Sequence, residues 1–241
     1  MAKTLKEWVN TDVKSVKDRT IKWLSQHYFF RDPLRPVYSD LSFFFSPADG
    51  IILYQKRVKP HESIVDIKGK NYSLQDSMID YSYNEESIVV GIFMTFYDVH
   101  INRIPFSGHL SYKQLERIDS HNYPMLYVER HIIEDLMVNT KKADYLYSNQ
   151  RTLNKIFAPK LKQFYYILQV ADFDVDVIIP FQLKQNFPFH QNQRFSQVRY
   201  GSQVDLIIPI SKLYDFEFTQ EEGMHVEAGI DTLIKINEKF E

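Results

Sequence analysis

The chain has 241 residues, of which 44% are hydrophobic and 25% charged, the balance of a globular protein that can bury a sizeable core. Its net charge of −2 argues against a nucleic-acid partner, because binding to phosphates over a whole surface requires a strongly basic protein. The absence of cysteine excludes disulfides, thiol catalysis and thiolate metal sites.

Residues 4–28 predict an amphipathic helix, because their apolar side chains recur at helical spacing: Leu5, Trp8, Val9, Val13, Val16 and Leu24. This stripe has two interpretations, a helix lying in a bilayer interface or a helix packed on its own domain. Glu7, Asp12 and Asp18 dilute the basic face and favour packing. No stretch reaches the roughly 18 apolar residues of a spanning helix, and no signal peptide is recognisable. We therefore expect a cytoplasmic protein whose membrane contact is peripheral.

Short strand patterns follow from residue 43 onward. Strands are predicted in residues 43–58 around an Asp-Gly turn, 63–74 around Gly69, 87–112, 163–181, 198–210 on both sides of Gly201, and 224–236 around Gly229. Residues 113–160 have mixed periodicity and indicate no clear element. The expected fold is mainly β, a β-rich α+β protein with a helix at 1–28 and one domain at 29–241.

The residue patterns alone identify no reaction. The eight histidines form neither a His-x-x-x-His nor a His-x-His pair, so no metal site is expected. Seven glycines do not build a glycine-rich phosphate loop, and the Gly-x-Ser-x-Gly motif of serine hydrolases is missing.

Seven segments nevertheless form a recognisable series: YFFRDPLRP (28–36), SPADG (46–50), IKGKNYSLQD (67–76), FYDVHINRIPFSG (96–108), SNQR (148–151), RYGSQVDLIIP (199–209) and HVEAGIDTL (225–233). In this order they resemble the short form of the phosphatidylserine decarboxylase family. A Gly-Ser dipeptide alone carries little information, but the ordered series is specific. The resemblance implies a decarboxylase-like β-barrel or sandwich with a lipoyl-like hairpin at the C-terminal end.

The resemblance also implies a proenzyme that cleaves itself between Gly201 and Ser202, giving chains 1–201 and 202–241. The Ser202 hydroxyl would attack the Gly201 carbonyl, elimination would break the resulting ester, and hydrolysis would leave a covalent pyruvoyl cofactor at residue 202. Glycine suits this position because it has no Cβ to hinder the nucleophile. The structural alternative is a plain bend or bulge in a strand.

Asp49 and His100 fall at positions that the resemblance makes catalytic, since a serine hydroxyl needs a base and the later reaction needs a proton donor. Many members of the family carry a second histidine three residues after the first, where this chain has Arg103. The Asp–His–Ser triad therefore does not transfer whole, and either His100 alone or Asp49 directly is the candidate base. The alternatives are a strand histidine with local hydrogen bonds and an Asp-Gly turn former.

The implied reaction converts membrane phosphatidylserine into phosphatidylethanolamine and carbon dioxide, with the pyruvoyl ketone taking up the serine amine and acting as the electron sink. Arg103, with Arg31 and Arg35 as alternatives, is the candidate for binding the anionic headgroup. Expected partners are the lipid, the two chains of the cleaved proenzyme and further copies in a homo-oligomer. Departures from the family pattern, such as Gln203, leave two other hypotheses open. One is an unprocessed pseudoenzyme acting as a binding module, and the other is a decarboxylase of a soluble amino acid derivative.

Overall fold

The computed structural model describes residues 1–35, 39–67, 70–115, 126–139, 149–171, 178–199 and 202–239. Helical structure lies mainly at the N-terminal end. Its parts, with two later helices, are α1 (Leu5–Trp8), a π-helical turn (Val9–Val13), α2 (Lys14–Val16), α3 (Ile21–Trp23), a second π-helical turn (Leu24–Tyr28), α4 (Leu74–Met78) and α5 (Leu126–Glu134). The predicted helix at 4–28 is thus two helical pieces that are interrupted at residues 17–20.

Strands dominate the rest of the described chain. They are β1 (Phe43–Phe45), β2 (Gly50–Val58), β3 (Val65–Ile67), β4 (Lys70–Tyr72), β5 (Ser87–Met94), β6 (Ile101–Arg103), β7 (Gly108–Leu115), β8 (Arg151–Ala158), β9 (Gln163–Ala171), β10 (Ile178–Pro180), β11 (Phe187–Phe189), β12 (Arg194–Val198), β13 (Ser202–Pro209), β14 (Tyr214–Phe218), β15 (His225–Val226) and β16 (Thr232–Glu238). The expectation of a mainly β fold is confirmed.

The strands form one large antiparallel sheet and three small ones. The large sheet has the order β11-β7-β8-β9-β13-β5-β2-β15, and the small ones are β10-β12-β6, β1-β16-β14 and the hairpin β3-β4. Within the described ranges these sheets are open, with no ring of strands closing into a barrel. The two strands around the Asp-Gly turn do not pair with each other, since β1 pairs with β16 and β2 with β5. Likewise β15 pairs with β2 while β16 pairs with β1 and β14, so the turn at Gly229 passes between two sheets.

The large sheet separates two parts of the core, because successive side chains of a strand point to opposite faces. In β13, Ile207 packs with Trp8, Tyr54 and Phe93 on one face. Leu206 and the residues two positions before and after it in β13 pack on the other face, against the aromatic residues of the small sheets. Every residue of β13 is buried. The strand that begins with Ser202 therefore lies in the middle of the protein.

The apolar stripe of the N-terminal helical segment packs on the large sheet. Trp8 is 1% exposed, and its ring stacks on His225 with the centroids 4.9 Å apart. Val13 and Leu24 are also buried, and Lys3 exchanges two backbone hydrogen bonds with His225. The packing interpretation is therefore correct for Trp8, Val13 and Leu24, and these three side chains do not face a bilayer. In the described part of the chain, each helix is too short or too polar to cross a bilayer.

We predict that Trp8→Ala lowers the free energy of unfolding by about 3 to 5 kcal/mol, the usual cost of truncating a buried aromatic side chain. Urea unfolding of the Ser202→Ala protein, which keeps the chain in one piece, measures this. Trp23→Ala is the matched control, because Trp23 is partly exposed and its ring contacts Tyr28 and Arg19. Equal effects of the two substitutions would contradict the role of Trp8 in the core.

Candidate active site

Two connections of the chain meet at one end of the large sheet. Residues 95–100 join β5 to β6, and β12 is followed in the chain by β13. Strands β5 and β13 pair in the large sheet, and strands β6 and β12 pair in the small sheet β10-β12-β6. Both connections therefore link the same two sheets. The backbone N–H of Val198 donates to the carbonyl oxygen of His100 over 3.1 Å and joins them. The predicted catalytic histidine thus lies next to the segment that leads to Ser202.

Ser202 is the first residue of β13 and has no exposed surface. Its partners across the sheet are Met94, the last residue of β5, and Ala171, the last residue of β9. Strand alternation puts its side chain on the same face as Val204. Gly201, the other half of the predicted cleavage site, lies outside the described residues.

Asp49 approaches the same edge of the sheet from β2. Gly50 begins that strand, and Ile51 pairs with Phe93, the residue before Met94. A glycine is needed at position 50 because its φ is +152° and a Cβ would lie 2.1 Å from the carbonyl oxygen of Phe93. This close approach holds Asp49 at the end of β2, while Ser202 begins β13 on the other side of β5.

The Asp49 carboxylate is engaged by an arginine rather than by a histidine. Arg35 donates to both oxygens in a bidentate pair, each bond 2.6 Å long, and the N–H of Ala228 adds a bond of 2.8 Å. Both charged side chains are almost completely buried. Within the described residues, Asp49 shares no hydrogen bond with His100. Asp49 therefore ties the 29–35 segment to the turn after β15.

His100 is fully buried and presents one ring nitrogen without a partner. Its Nδ1 lies 3.0 Å from the carbonyl oxygen of Asp98, which can only accept, so Nδ1 carries the proton. Nε2 is then an acceptor, and it has no hydrogen-bond partner among the described residues. Burial lowers the pKa of His100 to about 4, which keeps the ring neutral at neutral pH. The side chain is thus held as a neutral base with its lone pair free.

Asp98 holds the turn that carries His100. One carboxylate oxygen accepts from the N–H and the hydroxyl of Thr95, at 2.8 and 2.7 Å. The other lies 2.7 Å from Nε2 of His225 in a buried ion pair. Burial alone would raise the pKa of Asp98, but His225 and Thr95 outweigh burial and lower it. Burial alone would lower the pKa of His225, but the Asp98 carboxylate outweighs burial and raises it.

The 29–35 segment lies over this site. The ring of Phe29 stacks on His100 with the centroids 3.8 Å apart. Arg31 donates to the carbonyl oxygen of Tyr97 over 2.6 Å, which fastens the segment to the 95–100 turn. Of the three arginines considered for the headgroup, Arg31 is thus occupied by backbone carbonyls and Arg35 by a carboxylate. Arg103 is 5% exposed and donates to the carbonyl oxygen of Asn192.

Comparison with known proteins identifies the family of this chain. The family model described as phosphatidylserine decarboxylase matches residues 26–233. A phosphatidylserine decarboxylase proenzyme from Chlorobium limicola is 30% identical over 84% of this chain and 74% of its own. A putative archaetidylserine decarboxylase proenzyme from Methanocaldococcus jannaschii is 28% identical over 87% of this chain and 88% of its own. The chain belongs to the phosphatidylserine decarboxylase family. The resemblance inferred from the seven segments is thereby confirmed, and with it the class of carboxy-lyases.

The sequence of this phosphatidylserine decarboxylase family member did not indicate the roles of three residues that organise the site. His225 and Asp98 are 127 residues apart, and neither belongs to a local motif that indicates an ion pair. Arg35 was considered for the substrate, whereas it binds Asp49. The turn sequence Thr95 to Asp98, with an aspartate three residues after a threonine, could have indicated the local bonds of Asp98 to Thr95 but not its pairing with His225.

We predict that His225→Gln lowers the free energy of unfolding by about 2 kcal/mol at pH 5.5, the usual worth of a buried charged hydrogen bond. The contribution of ionised Asp98 to the free energy of unfolding is complete above the ordinary pKa of 3.8, and it is lost as the pH falls through the lowered pKa of Asp98. The contribution of protonated His225 is complete below the ordinary histidine pKa of 6.5, and it is lost as the pH rises through the raised pKa of His225. The difference between parent and variant should therefore be largest between these values and shrink towards pH 9.

Urea unfolding at several pH values in the Ser202→Ala protein checks this expectation. The control is His131→Gln, which removes a partly exposed histidine that lies 3.8 Å from Asp135 on α5 and should change stability little. A His225→Gln effect that stays constant from pH 5 to pH 9 would contradict the ion pair.

Proposed function

We propose that this protein is a proenzyme that cleaves itself between Gly201 and Ser202 and then decarboxylates the serine headgroup of a phospholipid. The observation that carries the proposal is the position of Ser202. A fully buried serine begins a central strand beside a turn whose histidine has a free, buried acceptor nitrogen. A plain strand bend requires neither feature.

Self-cleavage needs a base for the hydroxyl of Ser202, because a neutral alcohol is a weak nucleophile. Nε2 of His100 is the best candidate, since the Asp98 carbonyl fixes the tautomer that leaves this nitrogen unprotonated. The hydroxyl proton passes to Nε2 as the oxygen bonds to the Gly201 carbonyl carbon, and it is then given to the Ser202 nitrogen as the Gly201–Ser202 C–N bond breaks, leaving an ester and a free amine. Removal of the Ser202 α-proton eliminates the Gly201 carboxylate from this ester, and one water converts the resulting dehydroalanine into the pyruvoyl group and ammonia. Asp49 acts indirectly, by holding the 29–35 segment and the turn after β15.

The residues around Ser202 fit a pyruvoyl group. The group is small, and Ser202 lies between Met94 and Ala171 with no exposure to water. Once formed, the group would supply a ketone that takes up an amine and accepts the electron pair of the broken carbon–carbon bond. His100 would serve this reaction at the same atom. Nε2 accepts a proton when the headgroup ammonium becomes a neutral amine, and it returns that proton to the carbon that has lost carbon dioxide.

A phospholipid is the substrate that the comparisons support. The relatives are named for phosphatidylserine and for archaetidylserine, two lipids that share a phosphoserine headgroup. A mainly apolar groove also borders the 95–100 turn, lined by Leu24, Phe96, Tyr97 and Ile133 with charged residues of α5 at its rim. Such a groove suits an acyl or isoprenoid chain, and a soluble amino acid has no such chain to fill it. Peripheral membrane contact and a homo-oligomer remain predictions.

We expect the purified protein to consist of two chains, 1–201 and 202–241. The small chain should have a blocked N-terminus and be lighter by one ammonia than a chain beginning with serine. Ser202→Ala should stay intact, because no hydroxyl is left to attack. Ser87→Ala is the matched control, since Ser87 is equally buried in the same sheet but pairs with Pro209 at the far end of β13. Denaturing electrophoresis with intact mass measurement decides, and a parent protein that stays whole for days favours the pseudoenzyme.

We expect His100→Ala to slow self-cleavage about a hundredfold or more, the usual worth of a general base. A histidine of ordinary pKa would lose about tenfold in rate between neutral pH and pH 5.5. Because burial lowers the pKa of His100 to about 4, cleavage of the parent should change little over that range and fall only below it.

Chains made by cell-free translation and then transferred to buffers of different pH provide the rates. His190→Ala, at an exposed position, is the control. A parent rate that falls tenfold by pH 5.5, or a His100→Ala variant that cleaves like the parent, would contradict the assignment.

A further inference from the structure

An ion cluster lies at the far end of β6 from His100. Arg103, the last residue of β6, pairs in the sheet with Arg194, the first residue of β12. Asp32 of the 29–35 segment bridges the two guanidinium groups. One of its oxygens lies 2.8 Å from Nη1 of Arg194, and the other lies 3.6 Å from Nη2 of Arg103. The bond to Arg194 is short, and the contact with Arg103 is loose.

The positive charge of Arg103 is poorly compensated. Its side chain is 6% exposed, and burial together with the nearby Arg35 and Arg194 lowers its pKa. Asp49 is also near, but its two oxygens are already bound by Arg35. A buried guanidinium costs free energy unless an anion with matching geometry faces it. A tetrahedral dianion or monoanion with several oxygens would satisfy both arginines better than the single carboxylate of Asp32.

The place of this cluster suits the headgroup. Strand β6 rises about 3.3 Å per residue, so Arg103 begins about 10 Å along the strand from His100. In a phosphoserine headgroup the phosphorus is three bonds from the carbon that loses carbon dioxide, and an arginine side chain can span the remaining distance. Gly229 lies against the arginine, where a Cβ would come within 3.0 Å of Cδ of Arg103 and where φ is +71°. The turn after β15 thus fixes the direction of the Arg103 side chain.

We propose that Arg103 and Arg194 form the subsite for the phosphate of the substrate headgroup, and that Asp32 fills this subsite until the phosphate displaces it. This inference rests on the proposed function for the identity of the ligand. Asp32 is 29% exposed and Arg194 is 44% exposed, so the anion reaches the subsite from this side. The backbone of Asp32 is held on both sides, by Arg31 on the Tyr97 carbonyl and by Arg35 on Asp49. A rotation of the Asp32 side chain is therefore sufficient to admit the phosphate.

The first test measures binding to the uncleaved Ser202→Ala chain, with inorganic phosphate and glycerophosphoserine as probes in phosphorus NMR titrations. Asp32→Asn removes the competing charge and should tighten binding of both probes about tenfold. Arg194→Gln should weaken both about tenfold. The matched controls are Glu86→Gln and Arg57→Gln, which make the same charge changes in an exposed ion pair on β2 and before β5. The controls should leave both affinities within about twofold of the parent.

The second test measures decarboxylation by the processed chains. Asp32→Asn should lower KM without changing kcat, and Arg194→Gln should raise KM. If the parent decarboxylates but Asp32→Asn binds phosphate no better than Glu86→Gln does, the subsite is refuted and Asp32 is a structural ion-pair partner. If the probes bind in the predicted order but the parent does not decarboxylate, the anion subsite stands and the proposed function fails.

Discussion

The candidate site depends on one buried carboxylate, that of Asp98. The two carboxylate oxygens bind Thr95 and His225, and the backbone carbonyl oxygen of Asp98 fixes the tautomer of His100. A buried charge is tolerated only when it is paired and hydrogen-bonded, so the turn cannot keep this shape without His225. His225 in turn stacks on Trp8. The N-terminal helical segment, the 95–100 turn and strand β15 thereby meet at the ion pair of Asp98 with His225.

Among the residues that the structure describes, no charged side chain forms a hydrogen bond or an ion pair with the ring of His100. Asp49, which a triad would place on the catalytic histidine, is bound by Arg35 and by the N–H of Ala228. Asp98 offers His100 only its backbone carbonyl, while its charge faces His225. Burial lowers the pKa of His100 by more than the Asp98 charge and the hydrogen bond to the Asp98 carbonyl raise it, and this is why the pKa falls. His100, the proposed base, is therefore weak, and it is in its basic form at neutral pH.

The local features of the fold could be predicted from the sequence, and the long-range ones could not. Alternating apolar residues indicated the strands on both sides of Gly201, and the family motifs indicated Asp49, His100 and Ser202. Strand partners depend on contacts between residues far apart in the chain, so the strand–turn–strand pattern at 43–58 did not reveal that β1 pairs with β16 and β2 with β5. The same limit applies to Asp98 with His225 and to Arg35 with Asp49, since a charge pattern does not name its partner. The apolar stripe of the N-terminal helix was ambiguous for a different reason. A lipid surface and a protein core both require one apolar face, and only the packing of Trp8 distinguishes them.

The position of the proposed cut explains how a cleaved chain can remain an enzyme. Ser202 begins β13, which is paired along its length with β5 and over most of its length with β9. A break before the first residue of a strand would remove at most the N–H of residue 202 from these ladders, because the pyruvoyl group has no nitrogen, so the small chain would stay in the centre of the sheet. The contacts that build the site also cross the cut. Asp98 and Asp49 would belong to the large chain, while His225 and Ala228 would belong to the small one. The proposed cleavage would thus free the residue that reacts without releasing any of the groups that hold it.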